Sequence, residues 1–143
     1  MSNKVATADL YPVIADVVAS GGSFDFIPGG TSMLPTLNGS SDVVTLCKAE
    51  SVQKGDIILF KRDNGQFILH RVIAVSGDEL TVRGDNVYGA ESVMLTDVLA
   101  KVSRYTTAKG ECTDVIGGLL RAQLHRPIVI IRAVITKINN KPK

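Results

Sequence analysis

The pattern of hydrophobic and polar positions divides the chain into three regions. Residues 9–20, DLYPVIADVVAS, have apolar side chains at helical spacing and predict a short amphipathic helix. After residue 20 the period of the apolar positions changes, and short β-prone runs follow. They are SFDFIP, DVVTLCK, DIILFKR, FILHRVIAV and ELTVRG, with a further run, VLAKVSRY, at 98–105. Helical spacing returns over 113–124 and 127–138, although the second of these segments is rich in β-branched residues.

Turn-forming residues separate the β-prone runs and favour antiparallel pairing. Asp63-Asn64-Gly65 between two apolar runs is a strong signal for a β-hairpin, and no linker divides the chain. The sequence therefore predicts a mainly β fold, an antiparallel barrel-like core with flanking N- and C-terminal helices. We expect a single domain over 1–143, with an N-terminal helix at 1–23, a β-rich core at 24–105 and a basic helical tail at 106–143.

Charge is distributed unevenly along the chain. Residues 1–114 carry ten Lys/Arg and fourteen Asp/Glu, whereas residues 115–143 carry six Lys/Arg, one His and no acid. Such a basic segment would suit anionic lipid or nucleic acid, although a solvated helix face with a frayed Lys-rich end is the simpler interpretation. The sequence leaves open peripheral contact with a membrane through the basic C-terminal segment.

Targeting signals are not recognisable in the sequence. Asp9 and Asp16 interrupt what would be the apolar region of a signal peptide, and no window approaches about 20 apolar residues without a charge. Cys47 and Cys112 are far apart and lack metal-ligand spacing, which favours reduced thiols. These features predict a cytoplasmic protein without a signal peptide or transmembrane helix.

Three separate segments hold the residue types needed for nucleophilic catalysis. They are Ser32 in GGTSMLP, His70 in FILHRVIAV, and the acids Asp85 and Glu91 in RGDNVYGAES. A serine hydroxyl needs an adjacent base, and a histidine base gains from a carboxylate that orients it. Each residue also has a simpler interpretation, because Ser32 suits an ordinary turn, His70 a strand face and Asp85 a turn that bonds its own backbone. Spacing alone leaves both interpretations open.

A family resemblance sharpens this picture. IPGGTSMLPTL, KGDIILFKR, ILHRVIAV and VRGDNV resemble, in their order, four boxes of the signal peptidase and LexA-like serine peptidase superfamily, over roughly residues 24 to 103. His-Arg-Val-Ile followed by Gly-Asp-Asn is most similar to the endoplasmic-reticulum and archaeal branch. Small bacterial members without membrane spans look most similar overall. The resemblance implies a serine-type endopeptidase with a signal-peptidase/LexA-type core.

The resemblance also assigns roles to single residues. Ser32 matches the nucleophile, and His70 stands where bacterial signal peptidases and LexA-like proteins have a lysine base. Asp85 matches the aspartate of the Gly-Asp-Asn box, and Glu91 stands six residues later, where the endoplasmic-reticulum branch has the acid that partners its histidine. The resemblance favours Glu91 over Asp85 as that partner, with the other acid shaping the loop.

The residues around the nucleophile bear on how an oxyanion would be held. Many signal peptidases have a serine two residues before the nucleophile, and Gly30 occupies that position here. We therefore expect the oxyanion to rely on backbone N–H groups, chiefly that of Ser32, with Thr31 as a helper and Met33 packed beneath. No metal or other cofactor is expected, and the partner would be a peptide or protein precursor, with no nucleic acid.

Two other functions remain compatible with the sequence. A non-catalytic peptide-binding module could keep the same fold, and Gly30 in place of the serine keeps that alternative open. A LexA-like self-cleaving regulator is the third possibility, but the chain lacks the Ala-Gly pair that would serve as that family's cleavage site.

Overall fold

A computed structural model describes residues 7–142, and in that part of the chain eight strands lie between two α-helices. The elements are α1 (Thr7–Ala19), β1 (Phe24–Phe26), β2 (Val43–Cys47), β3 (Ile57–Lys61), β4 (Phe67–Ser76), β5 (Glu79–Arg83), β6 (Glu91–Met94), β7 (Val98–Thr107), β8 (Gly110–Cys112) and α2 (Gly118–Asn139), with a short 3-10 helix at Leu95–Asp97.

The strands form one antiparallel sheet in the order β1-β2-β7-β3-β4-β5-β6, with β8 paired to β7. The predicted mainly β fold with flanking helices is confirmed. The sheet does not close, so "barrel-like" describes it only loosely. The predicted hairpin is present, because β3 and β4 pair from Lys61 opposite Phe67 onward.

Side chains alternate between the two faces of the sheet, as the strand pattern of β4 predicts. Leu69 belongs to a larger core cluster that also takes in Ile14 and Val18 of α1, and Val72 belongs to a smaller cluster on the other face. Fully burying an aliphatic side chain of this size contributes about 1.5–3 kcal/mol. The two clusters therefore fix the register of β4, and with it the faces on which His70 and Arg71 lie.

The structure differs from the predicted elements mainly at their ends. The two helical segments predicted at 113–124 and 127–138 form one helix, α2, which runs through Pro127. Helix α1 begins at Thr7, two residues before the predicted start, so Pro12 lies in the second turn. Strands β6 and β8 were not predicted, because runs of four and three residues carry too little pattern.

The structure also bears on the cysteines and on membrane insertion. Cys47 and Cys112 are both free thiols. Among residues 7–142, no helix has the length and apolar character needed to cross a membrane.

Candidate active site

Ser32 lies on the loop between β1 and β2, which two glycines fold back on itself. Gly29 and Gly30 have φ angles of 83° and 74°, which glycine adopts far more readily than other residues. Gly29 donates its backbone N–H to Gly39 O at 2.7 Å, and a Cβ on Gly39 would lie 2.1 Å from Gly29 O. The close approach of these backbone segments sets the path of the chain into Ser32.

An open cavity of about 230 Å³ borders Ser32. Met33 is buried beneath the loop with 5% of its surface exposed, and it contributes to the wall. Within residues 7–142, the backbone N–H of Ser32 donates to no other group. The lining is largely apolar and includes Pro28, Met33, Leu37, Phe67, Ile68 and Leu69.

His70 lies on β4, on the face of the sheet that carries the smaller core cluster. It pairs with Ile58 across β3, and its ring meets that of Phe60 edge-on with centroids 6.1 Å apart. The side chain is buried, and its Nδ1 forms no hydrogen bond with any group in the described part of the chain. A buried polar atom without a hydrogen-bond partner costs free energy. Such atoms are therefore uncommon in folded proteins away from functional sites.

Glu91, at the start of β6, is the acid beside His70. Its Oε1 lies 3.5 Å from His70 Nδ1, an ion-pair distance rather than a hydrogen bond. The two residues share a face of the sheet because Glu91 pairs with Val82 and Val82 pairs with Val72. A small movement of either side chain would complete a hydrogen bond.

Arg62, which follows β3, holds Glu91 from the other side. Its Nε donates to Glu91 Oε2 at 2.9 Å, and its Nη2 donates to Oε1 at 2.7 Å. Sequence reasoning missed Arg62, although it is the last residue of KGDIILFKR and opens the predicted hairpin turn. A bidentate pair of this kind fixes a carboxylate in position.

The charges around His70 act on its pKa in opposite directions. Burial has the largest effect and lowers the pKa below the ordinary value, and the positive charge of Arg62 lowers it further. The negative charges of Glu91 and Asp85 raise it. The net result is a lowered pKa, so His70 is neutral near pH 7 and able to accept a proton.

Gly84 stands between Ser32 and the second nitrogen of His70. A Cβ at this position would lie 2.6 Å from Ser32 O and 3.0 Å from His70 Nε2. The loop after β5 therefore brings the segments of Ser32 and His70 together through a glycine. Ser32 and His70 both lie in the part of the chain that the structure describes, and no hydrogen bond joins the Ser32 hydroxyl to the His70 ring.

Asp85 makes its contacts on the opposite face, away from His70 Nδ1. Both of its carboxylate oxygens accept hydrogen bonds from Arg71, from Nε and Nη2 at 2.9 Å each, and Thr36 Oγ1 donates to Oδ2. Arg71 is fully buried and also donates to the carbonyls of Gly55 and Val115, at 2.8 and 2.9 Å. Of the two acids considered for His70, the structure brings Glu91 to its Nδ1.

Asn86 connects the Ser32 loop to α2. Its backbone N–H donates to Ser32 O at 2.8 Å, and its Nδ2 donates to Thr31 O at 3.0 Å. On its other side, Asn86 Oδ1 accepts from Arg132 Nη2 at 2.7 Å and from His125 Nε2 at 3.1 Å. Sequence reasoning missed this bridge, because nothing in the pattern of α2 indicates which loop it contacts.

The remaining candidate chemistry concerns metals. Among the described residues, no three or more His, Cys, Asp or Glu side chains are grouped closely enough to hold a metal ion.

Comparison with known proteins places the chain in a peptidase family. The sequence model of a family described as signal peptidase, peptidase S26, matches residues 12–119. This range includes Ser32, His70, Asp85 and Glu91, and it extends from α1 to the start of α2. No curated protein matches the chain. Since the match spans most of its length, the chain belongs to the signal peptidase family, peptidase S26.

Proposed function

We propose that the protein is a serine endopeptidase in which Ser32 is the nucleophile, His70 the general base and Glu91 the acid that orients His70. The observation that carries the proposal is the position of His70, with Nδ1 3.5 Å from Glu91 and Nε2 close to Gly84, beside Ser32 O. A base between a carboxylate and a serine loop is the arrangement that activates a hydroxyl.

The reaction is an acyl transfer in two steps. Ser32 Oγ attacks the substrate carbonyl carbon while His70 Nε2 takes its proton, and the C–N bond then breaks as His70 returns the proton to the departing amine. Water then attacks the acyl carbon while His70 takes its proton, the bond between that carbon and Ser32 Oγ breaks, and His70 returns the proton to Oγ as the acid product leaves. The negative oxygen of each tetrahedral intermediate would be held by the backbone N–H of Ser32, with Thr31 as a helper and Gly30 and Met33 shaping the turn.

The substrate would be an extended segment of a peptide or protein precursor. Backbone hydrogen bonds beside the sheet would align the segment, and the cavity beside Ser32 would take one small or apolar side chain. Because Gly30 offers no hydroxyl to the oxyanion, turnover should be slower than in enzymes with that donor. The loss of one oxyanion donor typically costs about 10² to 10³ in rate.

A fluorophosphonate probe tests the proposal without a known substrate. We expect intact-mass analysis to show one adduct on Ser32, absent in Ser32→Ala and slowed at least about 100-fold in His70→Ala. Ser76→Ala, which removes an exposed hydroxyl at the end of β4, is the matched control and should label normally.

A peptide library then separates catalysis from binding. Cleavage at defined bonds that requires Ser32 supports the endopeptidase. Peptide binding without labelling or cleavage would instead identify a non-catalytic peptide-binding module, an alternative favoured by the absence of a Ser32–His70 hydrogen bond. Adduct formation that is unchanged in His70→Ala would contradict the assignment of the base.

A further inference from the structure

Helix α2 exposes an apolar face along its whole length. Successive residues of a helix turn by about 100°, so apolar residues spaced by three and four form one stripe. Each side chain of this stripe is more than half exposed. We call this feature the outer stripe, and its members are Leu120, Leu124, Ile128, Ile131, Ile135 and Ile138.

The opposite side of α2 faces the protein body through small residues. Gly118, Ala122 and Val129 are buried there, and a Cβ on Gly118 would lie 2.9 Å from Arg71 Nη2. The usual arrangement of a surface helix is therefore reversed, with bulky aliphatic side chains turned toward solvent. A contiguous exposed apolar surface of this kind marks an interaction site.

The charges beside the outer stripe identify the kind of partner. Arg121 and Arg132 follow one edge of the stripe. Arg126 and Lys137 lie on the other side, beyond the exposed Ile130 and Val134, which widen the apolar face there. None of the four takes part in an ion pair within residues 7–142. Arg126 and Arg132 donate to carbonyl and amide oxygens, and Lys137 lies over the ring of Tyr88. The positive charge on both edges is therefore not neutralised by the protein.

We propose that α2 lies on the surface of an anionic lipid bilayer, with the outer stripe inserted among the acyl chains and the basic edges at the headgroups. An exposed apolar stripe between basic edges is the pattern of interfacial helices, and long basic side chains extend from such a stripe to the headgroups. The negative potential of anionic lipid adds attraction for each Arg or Lys near the surface.

A second copy of the chain fits the outer stripe less well. Two α2 helices packed stripe to stripe would bring their basic edges together, and residues 115–143 contain no acid to pair with them. Like charges facing one another oppose association. The charge pattern therefore favours lipid over self-association, and this inference does not depend on the peptidase proposal.

Vesicle co-sedimentation of the full chain tests the proposal. We expect binding to vesicles of mixed phosphatidylcholine and phosphatidylglycerol, weak binding to phosphatidylcholine alone, and weakening of the binding as salt is added. Ile131→Glu/Ile135→Glu should reduce the partition constant by about 100-fold or more. Both side chains are exposed, so circular dichroism and thermal unfolding should remain as in the parent protein.

A matched control separates the stripe from net charge. Ser76→Glu/Asn64→Glu adds the same two charges at exposed positions outside α2, at the end of β4 and in the β3–β4 turn, and should keep most of the vesicle binding. Binding that ignores lipid charge, or that survives Ile131→Glu/Ile135→Glu, would overturn the proposal. An absence of vesicle binding would also overturn the proposal. This holds if the protein is a monomer, and it holds if the protein forms a dimer that Ile131→Glu/Ile135→Glu dissociates.

Discussion

At the scale of single residues, His70 is held between groups that act on it in opposite ways. Burial lowers the pKa of His70, and the negative charge of Glu91 raises it. Arg62 lowers this pKa through its positive charge, and it also holds Glu91 in place through two hydrogen bonds. Since the labelling rate of Ser32 follows the neutral fraction of the base, the acid limb of its pH profile reports the pKa of His70. We expect that limb to lie below pH 6.5, the ordinary value for histidine.

Glu91→Gln should slow labelling and move the acid limb to lower pH. The substitution removes a negative charge that raises the pKa of His70, so His70 loses its proton at a lower pH. The rate on the plateau should fall by about 100-fold or more, because the orienting carboxylate is gone. The measurement is the fluorophosphonate labelling rate against pH, with Glu79→Gln on β5 as the control. An acid limb that does not move would contradict the role of Glu91.

Arg62→Gln should move the acid limb in the opposite direction. Its removal takes away a positive charge that lowers the pKa of His70, and it releases Glu91 to approach Nδ1. Both effects favour the protonated ring, so the limb should shift to higher pH. Lys61→Gln, at the preceding position on β3, removes an equal charge from an exposed side chain and should leave the profile unchanged. A shift to lower pH would show that Arg62 acts in another way.

At the scale of elements, the loop after β5 brings together segments that are distant in sequence. Because Gly84 has no side chain, Ser32 O and His70 Nε2 can both approach the position that a Cβ would occupy. The backbone N–H of Asn86 donates directly to Ser32 O. No side chain larger than hydrogen fits at Gly84 without displacing backbone. The approach of the Ser32 loop to His70 therefore depends on this one glycine.

Gly84→Ala should impair labelling more than it impairs folding. Its Cβ would stand 2.6 Å from Ser32 O, a backbone atom that cannot turn away, so the Ser32 loop must shift. We expect a stability loss of about 1–3 kcal/mol and a labelling rate lowered by about 100-fold, since small misplacements cost that much. Gly89→Ala is the matched control, because a Cβ there meets nothing within 4 Å. Normal labelling in Gly84→Ala would contradict this packing.

The secondary-structure elements also show which parts of the fold could be predicted from the sequence. The strand of His70, its face and the β3–β4 hairpin followed from alternation and turn chemistry, because β4 is long and its two faces pack in different cores. The single helix α2 was predicted as two segments, 113–124 and 127–138, and the gap between them falls just before Pro127. Pro127 is exposed in α2, and the helix continues past it to Asn139.

At the scale of the whole molecule, Arg71 joins parts of the chain that the sheet leaves separate. Its guanidinium contacts Asp85 after β5, Gly55 before β3 and Val115 before α2, all within a fully buried space. Neither the pairing of Arg71 with Asp85 nor the bridge through Asn86 could be predicted from spacing. These contacts depend on tertiary packing between residues far apart in sequence, for which a single sequence carries no periodic signal.

Asp85→Ala should unfold the protein more readily while leaving the groups around His70 Nδ1 in place. Removing one partner of a buried ion pair leaves an uncompensated charge and costs about 3–5 kcal/mol. Urea denaturation measures this loss, and Glu50→Ala, which removes an exposed acid, should cost little. The double variant Asp85→Ala/Arg71→Met should recover part of the stability, because it removes both charges. A small loss in Asp85→Ala would show that Arg71 finds other partners.

Asn86 has a thermodynamic consequence because it bonds two parts of the protein at once. It contacts the Ser32 loop through its N–H and Nδ2, and α2 through its Oδ1, so the positions of the loop and the helix share one free energy of coupling. A surface that favours the present position of α2 then favours the present position of Ser32. By reciprocity, a ligand that orders the Ser32 loop strengthens the affinity of α2 for that surface by the same factor.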